Sequence, residues 1–168
     1  MSTLSLSSKI FSIKSLLNLS KVKITKTIKK YIDNFFTNEL LQYVNELASK
    51  TIKKYEVVSI RDKLLSEYFQ SSFKSKNRKH IVEFNLMEPK SDYPIHDEAH
   101  WKKLSVVVYI KPEIGNGTYL FDKNKKIAKQ VDWKINRAFI FKGVPNVTWH
   151  SYANTKDTPR LTVNYFET

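Results

Sequence analysis

Leu104-Ser105-Val106-Val107-Val108-Tyr109-Ile110 is a run of β-branched and aromatic residues that reads as a buried strand. The same chemistry recurs around it at short intervals. Ile81-Val82-Glu83-Phe84-Asn85-Leu86 alternates apolar and polar residues. Gly115-Asn116-Gly117 turns the chain into Thr118-Tyr119-Leu120-Phe121, and Asp122 to Lys126 makes a second turn. Ala138-Phe139-Ile140-Phe141 and Leu161-Thr162-Val163-Asn164-Tyr165-Phe166 complete the set. Upstream of Ile81 the period is helical. Thr37 to Lys50 carries Leu40, Leu41, Val44, Leu47 and Ala48 at helical spacing, with Glu39 in the first turn and Thr37 or Asn38 as cap. Ser59 to Phe69 repeats the pattern through Leu64, Leu65, Tyr68 and Phe69. Ser71 to His80 is polar and basic, which is loop chemistry. Two helices followed by many short strands predict an α+β fold, with the N-terminal helices packed on a β-sandwich or jelly roll.

Composition bounds what such a domain can be. The chain of 168 residues suits one domain, and 41% hydrophobic with 13% aromatic residues supplies ample core. It has no cysteine, which excludes disulfides, thiolate metal sites and cysteine nucleophiles and fits a reducing compartment. No apolar stretch approaches the roughly 18 residues that cross a bilayer. The N-terminus lacks an apolar run ending in a small-residue cleavage site, so the expectation is a cytoplasmic protein.

The net charge of +13 is unevenly spread. Met1 to Lys30 contains seven lysines and no acidic residue, leaving +6 for all the rest. Residues 1–27 are therefore set apart as a basic Ser/Leu/Lys-rich leader, and 28–168 as the single domain. The leader admits several readings: a membrane-surface helix, an organelle-targeting peptide, an arm contacting nucleic acid, or a helix packed on the domain's back face.

One pattern carries chemistry. His96-Asp97-Glu98 is followed 52 residues later by His150, and ten residues after that by Arg160. Two imidazoles and one carboxylate are the minimal set that holds Fe(II) on one face of an octahedron and leaves other positions open. On an extended segment, residues two apart share a face, so His96 and Glu98 reach one metal while Asp97 points away; a turn there would select Asp97 instead. Arg160 offers a guanidinium fork that grips a carboxylate bidentately, unless it is a surface arginine paired with Asp157. Iron with open positions beside a held carboxylic acid points to O2 activation.

These elements together resemble the 2-oxoglutarate- and Fe(II)-dependent dioxygenases, and in particular their prolyl-4-hydroxylase-like branch. The resemblance rests on Ile95-His96-Asp97-Glu98, Val107-Val108-Tyr109-Ile110, Gly117-Thr118-Tyr119-Leu120, Trp149-His150-Ser151-Tyr152 and Pro159-Arg160-Leu161-Thr162. Trp133 to Phe141 is similar to the strand leading to the late histidine, and Tyr31 to Thr37 to the strand that opens such domains. It implies a double-stranded β-helix, a cupin-like jelly roll. It also implies iron held by His96, Glu98 and His150, and 2-oxoglutarate held by Arg160 with Tyr109 and Thr162 assisting. The outcome would be hydroxylation of a prime substrate, with succinate and CO2 released and ascorbate as a possible cofactor. The family's carboxylate is most often Asp, so Glu98 is a departure and Asp97 stays an alternative.

Blander readings stand beside these. His80 and His100 read as loop histidines, and Trp149, Phe139 and Phe141 as core. Two rival functions also remain: a non-catalytic jelly-roll binding domain, and a basic nucleic-acid-binding module with Tyr152 and Trp133 available for stacking.

Overall fold

The computed structural model describes residues 29–75 and 78–168. The elements run β1 (Lys29–Ile32), α1 (Asn38–Thr51), β2 (Glu56–Ile60), α2 (Lys63–Ser72), β3 (His80–Met87), β4 (Ser91–His96) and β5 (Leu104–Lys111). They continue with β6 (Thr118–Phe121), β7 (Ile127–Gln130), β8 (Ala138–Phe141), β9 (His150–Asn154) and β10 (Arg160–Glu167). Ten strands form two antiparallel sheets, a jelly-roll-like sandwich. The large sheet has the order β1-β8-β5-β10-β3-β2 and the small one β4-β9-β6-β7. The readings of residues 1–27 lie outside the described residues.

Each helix is started by a capping side chain. Thr37 Oγ1 accepts from the Leu40 amide at the head of α1, and Asp62 Oδ1 accepts from the Leu65 amide at the head of α2. Tyr43 of α1 also donates to Asp62 at 2.6 Å, which ties the two helices together. Leu40, Val44 and Ala48 recur every fourth residue and form the buried stripe of α1; Leu65, Tyr68 and Phe69 do the same for α2.

The period of two along the strands divides the large sheet into two faces. Val82, Phe84, Val106, Val108, Ile140 and Val163 point to one side, where they share a single core with the buried stripes of both helices. Phe69 lies flat on Tyr165 there, with ring centroids 4.8 Å apart. The alternate residues point between the sheets. Near β8 they are apolar, and Tyr109, Phe139 and Phe141 pack with Leu120 and Val131. Toward β3 they turn polar: Glu83, Asn85, Thr162 and Asn164 face a cavity. The sandwich is thus sealed at one end and open at the other.

The chain between β1 and α1 is pinned from a distance. Asn136 takes a left-handed backbone conformation (φ 60°), and its side-chain amide both accepts from the Phe36 amide and donates to the Phe36 carbonyl, each at 2.8 Å. Asp33 receives Arg137 Nε at 2.6 Å and Lys134 Nζ at 2.9 Å. The hydrogen bonds from Arg137, then Lys134, lower its carboxyl from 3.8 to about 2. A depressed carboxylate pKa stabilises the fold above the unfolded value and ceases to do so as pH falls through the folded one. The stability gap between wild type and Asp33→Asn should therefore be full at pH 5 and largely closed near pH 2, as followed by denaturant unfolding.

Several elements differ from the sequence expectation. Ser59 and Ile60 belong to β2 and not to a helix, and α2 starts only at Lys63. Val57, Val58 and Ile60 satisfy a β3 edge that would otherwise stay open, and Asp62 then caps the delayed helix. Two strands, β1 and β2, are consequently interleaved with the helices. The opening strand ends at Ile32, two residues into the expected Tyr31 to Thr37 segment, and Phe35 and Phe36 beyond it are drawn into the core. Strands β7 and β9 were not expected, and the extended segment expected from His96 to Glu98 begins where β4 ends; β7 is exposed at every position and β4 nearly so.

Candidate active site

Strands β4 and β9 pair antiparallel with His96 directly opposite His150, which brings their ring centroids to 4.2 Å. Each ring is oriented by its own strand. His96 Nδ1 lies 2.9 Å from the Pro94 carbonyl, and His150 Nδ1 lies 2.8 Å from the Thr148 carbonyl. A carbonyl only accepts, so each Nδ1 carries a proton, and in the neutral ring Nε2 is the lone-pair atom left to face the site. Burial and the charge of His150 lower the pKa of His96, which favours that neutral form.

Glu98 follows the end of β4 and is buried, with Oε1 3.4 Å from His150 Nε2. Its approach depends on Gly143. A Cβ at that position would stand 2.7 Å from the Glu98 Cβ, so any larger residue would displace the carboxylate. Burial raises the Glu98 pKa, but the hydrogen bond to His150 and the charge of Lys102 outweigh it and hold the group ionised, below its ordinary value. His150 Nε2 and a carboxylate oxygen therefore face each other in a buried place. That contact calls for a cation or a proton between them.

Lys102 is the charge already present. Its ammonium stands 3.1 Å from Glu98 Oε2, at ion-pair distance though off the line of a hydrogen bond, and lies 3.7 Å from the centroid of the Phe166 ring. Asp97 is turned elsewhere: its Oδ2 accepts from the Asn146 amide at 2.7 Å and ties the loop after β4 to the loop before β9. Among the described residues, no three His, Cys, Asp or Glu side chains stand together at coordination spacing. His150 and Glu98 stand 3.4 Å apart, the His96 ring lies against His150, and Lys102 sits on the carboxylate.

At the inner end of the same cavity, of about 220 Å³, sits Arg160. It opens β10, is 1% exposed and has no acidic partner among the described residues. Asp157 pairs with Lys90 instead, so the surface-arginine reading is corrected. Nε reaches the Asn116 carbonyl at 3.4 Å, while Nη2 is buried without a partner. Tyr152, Trp133 and Tyr109 surround the guanidinium, with ring centroids 4.8, 5.1 and 5.7 Å away. Trp133 stacks on Tyr109 and so is an internal wall; it is not free for stacking on a nucleic acid. Burial lowers the Arg160 pKa, yet a guanidinium keeps its charge in any protein setting. A buried cation without a counterion is costly unless an anion joins it.

The two residues expected to assist Arg160 are already partly engaged. The Tyr109 hydroxyl accepts from the Thr118 amide at 3.1 Å and shares a hydrogen bond with Thr118 Oγ1. Thr162 Oγ1 donates to Asn164 Oδ1 at 3.1 Å and faces the cavity from β10. Thr118, Lys102, Gly143 and Asn116 were not singled out from the sequence. Thr118, Asn116 and Gly143 act through partners 9, 44 and 45 positions away, and Lys102 through Glu98 four positions before it. Of these, only Asn116 and Thr118 lie in stretches that attracted notice. His100 lies exposed in a turn, and His80 packs near Tyr165 and Gln70, outside the cavity.

The same architecture occurs in solved structures. A prolyl-4-hydroxylase from Pseudomonas putida superposes with a TM-score of 0.62 at 12% identity, covering 82% of this chain and 90% of that one. The viral collagen prolyl hydroxylase of Paramecium Bursaria Chlorella virus-1, in its 2OG complex, gives 0.59 at 17%, covering 82% and 94%. A 2OG-Fe(II) oxygenase family oxidoreductase from Burkholderia pseudomallei gives 0.61 at 10%, covering 99% and 91%. No protein-family model and no curated protein matches the chain. At these identities the likeness is one of fold.

Proposed function

We propose that this chain, which has the fold of the prolyl-4-hydroxylases, is an Fe(II)- and 2-oxoglutarate-dependent dioxygenase that hydroxylates a prime substrate and releases succinate and CO2. The observation that carries the reading is Arg160: a buried guanidinium with no counterion among the described residues, in the same cavity as His96, Glu98 and His150. A dicarboxylate would lie in this cavity with one end on the arginine and the other toward the imidazoles.

His96, Glu98 and His150 would hold the metal through two Nε2 lone pairs and one carboxylate, a donor set suited to Fe(II). The carbonyls of Pro94 and Thr148 fix both imidazoles in the ligand tautomer. Bound there, iron supplies O2 activation coupled to decarboxylation of the co-substrate. The chain's own part is orientation. Arg160 would take the far carboxylate bidentately, Tyr109 and Thr162 would line its path, and Phe139 and Phe141 would keep water from that side of the cavity.

Lys102 bears on metal affinity. Its positive charge beside Glu98 opposes a divalent ion, and at close range such repulsion exceeds ~1 kcal/mol. Lys102→Met should therefore bind Mn(II) roughly tenfold tighter at pH 8 by isothermal titration, since about 1.4 kcal/mol is a factor of ten. Weaker binding would mean that the ammonium chiefly holds Glu98 in place.

The overall reading is tested by succinate formation from 2-oxoglutarate with Fe(II), ascorbate and O2, in the absence of prime substrate. If wild type neither binds nor turns over 2-oxoglutarate, the reading fails. If the same protein binds RNA with a steep salt dependence, the basic-module alternative replaces it.

A further inference from the structure

Four charged side chains other than histidine line the cavity: Glu83, Glu98, Lys102 and Arg160. Glu98 faces His150 and Lys102, and on the reading above Arg160 serves the co-substrate. Glu83 is the charge left over. Its one polar contact is Ser59 Oγ, which donates to Oε1 at 3.3 Å, and it has no ion-pair partner among the described residues. The register places it with care. Asn85 pairs across β3 and β10 with Thr162, and Thr162 pairs with Tyr109 on β5; one rung outward, Glu83 pairs with Asn164. Glu83 therefore sits on the same face as the residues around Arg160, displaced by one repeat toward the open part of the cavity.

At that rung the neighbours across the sheet are Ser59 and Asn164, and apolar and aromatic side chains line the cavity alongside. Tyr93 stacks flat on Tyr152 at 4.9 Å and remains 45% exposed, beside His96. Val57, on the free edge strand β2, lines the cavity and is 55% exposed. A half-buried carboxylate in a cavity that also has apolar walls discriminates by charge. A neutral apolar group that covers it removes its water and returns nothing, and a hydroxyl returns one uncharged donor, whereas a cation replaces the lost hydration with a charge-assisted hydrogen bond. Tyr93 and Val57 meanwhile suit an aliphatic stem and the flank of a cation.

We infer that Glu83 selects the prime substrate, and that this substrate carries an alkyl chain ending in a cationic nitrogen, as a lysine side chain does. The inference rests on the proposed oxygenase reading for which cavity is the reactive one, but its test does not depend on that reading. The chemistry is shared by a free amine and by a lysyl residue in a polypeptide.

Four probes separate the cases: n-pentylamine, 1-pentanol, acetyl-Ala-Lys-Ala-amide and the same peptide with norleucine. Their affinities for the full chain are measured by ligand-observed NMR, first metal-free and then with Mn(II) and 2-oxoglutarate. Each cationic probe should bind at least tenfold tighter than its neutral counterpart. Glu83→Gln should erase that preference without changing Mn(II) affinity, and Glu83→Asp should restore part of it. A lysyl peptide binding more than tenfold tighter than pentylamine identifies a polypeptide source; equal binding identifies a small amine. Both results uphold the proposal.

Equal affinity of cationic and neutral probes for wild type overturns it, whatever the variants do. So does a preference that survives Glu83→Gln. If Mn(II) and 2-oxoglutarate fail to bind while the Glu83-dependent preference persists, the oxygenase reading falls and this one stands.

Discussion

Arg160→Ala should leave Mn(II) affinity unchanged and raise the 2-oxoglutarate concentration needed for half-saturation by about two orders of magnitude. Two charge-assisted hydrogen bonds in a dry site are worth about 3 kcal/mol, and each ~1.4 kcal/mol is a factor of ten. The proposed metal donors sit on β4, on β9 and just after β4, so the substitution on β10 does not touch them. Stability should move in the other direction. Without co-substrate, Arg160 is a buried charge with an unpartnered Nη2. Replacing it with methionine of similar length should therefore keep or raise the melting temperature of the ligand-free protein, and abolish the rise that 2-oxoglutarate causes in wild type. A large loss of stability in Arg160→Met would mean that the guanidinium and its three aromatic neighbours are structural, and that no anion belongs there.

Glu98→Ala should abolish measurable Mn(II) binding, while Asp97→Ala should leave it within a factor of about three. Glu98 is buried beside His150, and Asp97 is committed to the Asn146 amide. The Asp97 variant should instead loosen the two loops joined by that bond, costing about 1 kcal/mol of stability. Isothermal titration and thermal melting of both variants separate the two roles. Metal loss in Asp97→Ala with binding kept in Glu98→Ala would reverse the assignment. Gly143→Ala gives an independent check on Glu98, because its new Cβ meets the Glu98 side chain without touching any donor atom.

The sandwich was legible wherever burial imposes a period. Ala138 to Phe141 was read with its true bounds, and β3, β5 and β10 to within a residue at either end, because their alternate residues serve two different interiors. What escaped were the edges. Strand β4 contains Pro94, tolerated only where no ladder partner is needed, and β7 buries nothing, so neither leaves an apolar signature. Strand β2 was lost to the helical spacing of the residues after it, and only Asp62 as a cap marks where one period gives way to the other. Candidate ligands were legible as residue types at a spacing. That His96 and His150 are cross-strand neighbours was not, since β9 reads as a polar stretch. Lys102 was invisible as a site residue because a lysine four positions after a glutamate looks like an ordinary surface pair.

The pairing that places His96 against His150 has a mechanical side. Both histidines belong to the small sheet and Arg160 to the large one. A molecule held at one end by the imidazoles' metal and at the other by the arginine is thus a strut across the sandwich. Occupying the cavity ties together two layers that otherwise meet there only through side chains, at the end where β2 and β4 are free edges. Amide protons of those two strands should exchange with solvent more slowly once the strut is in place, although neither strand need touch it, whereas those of β5 and β10, walled in on both sides, should scarcely respond.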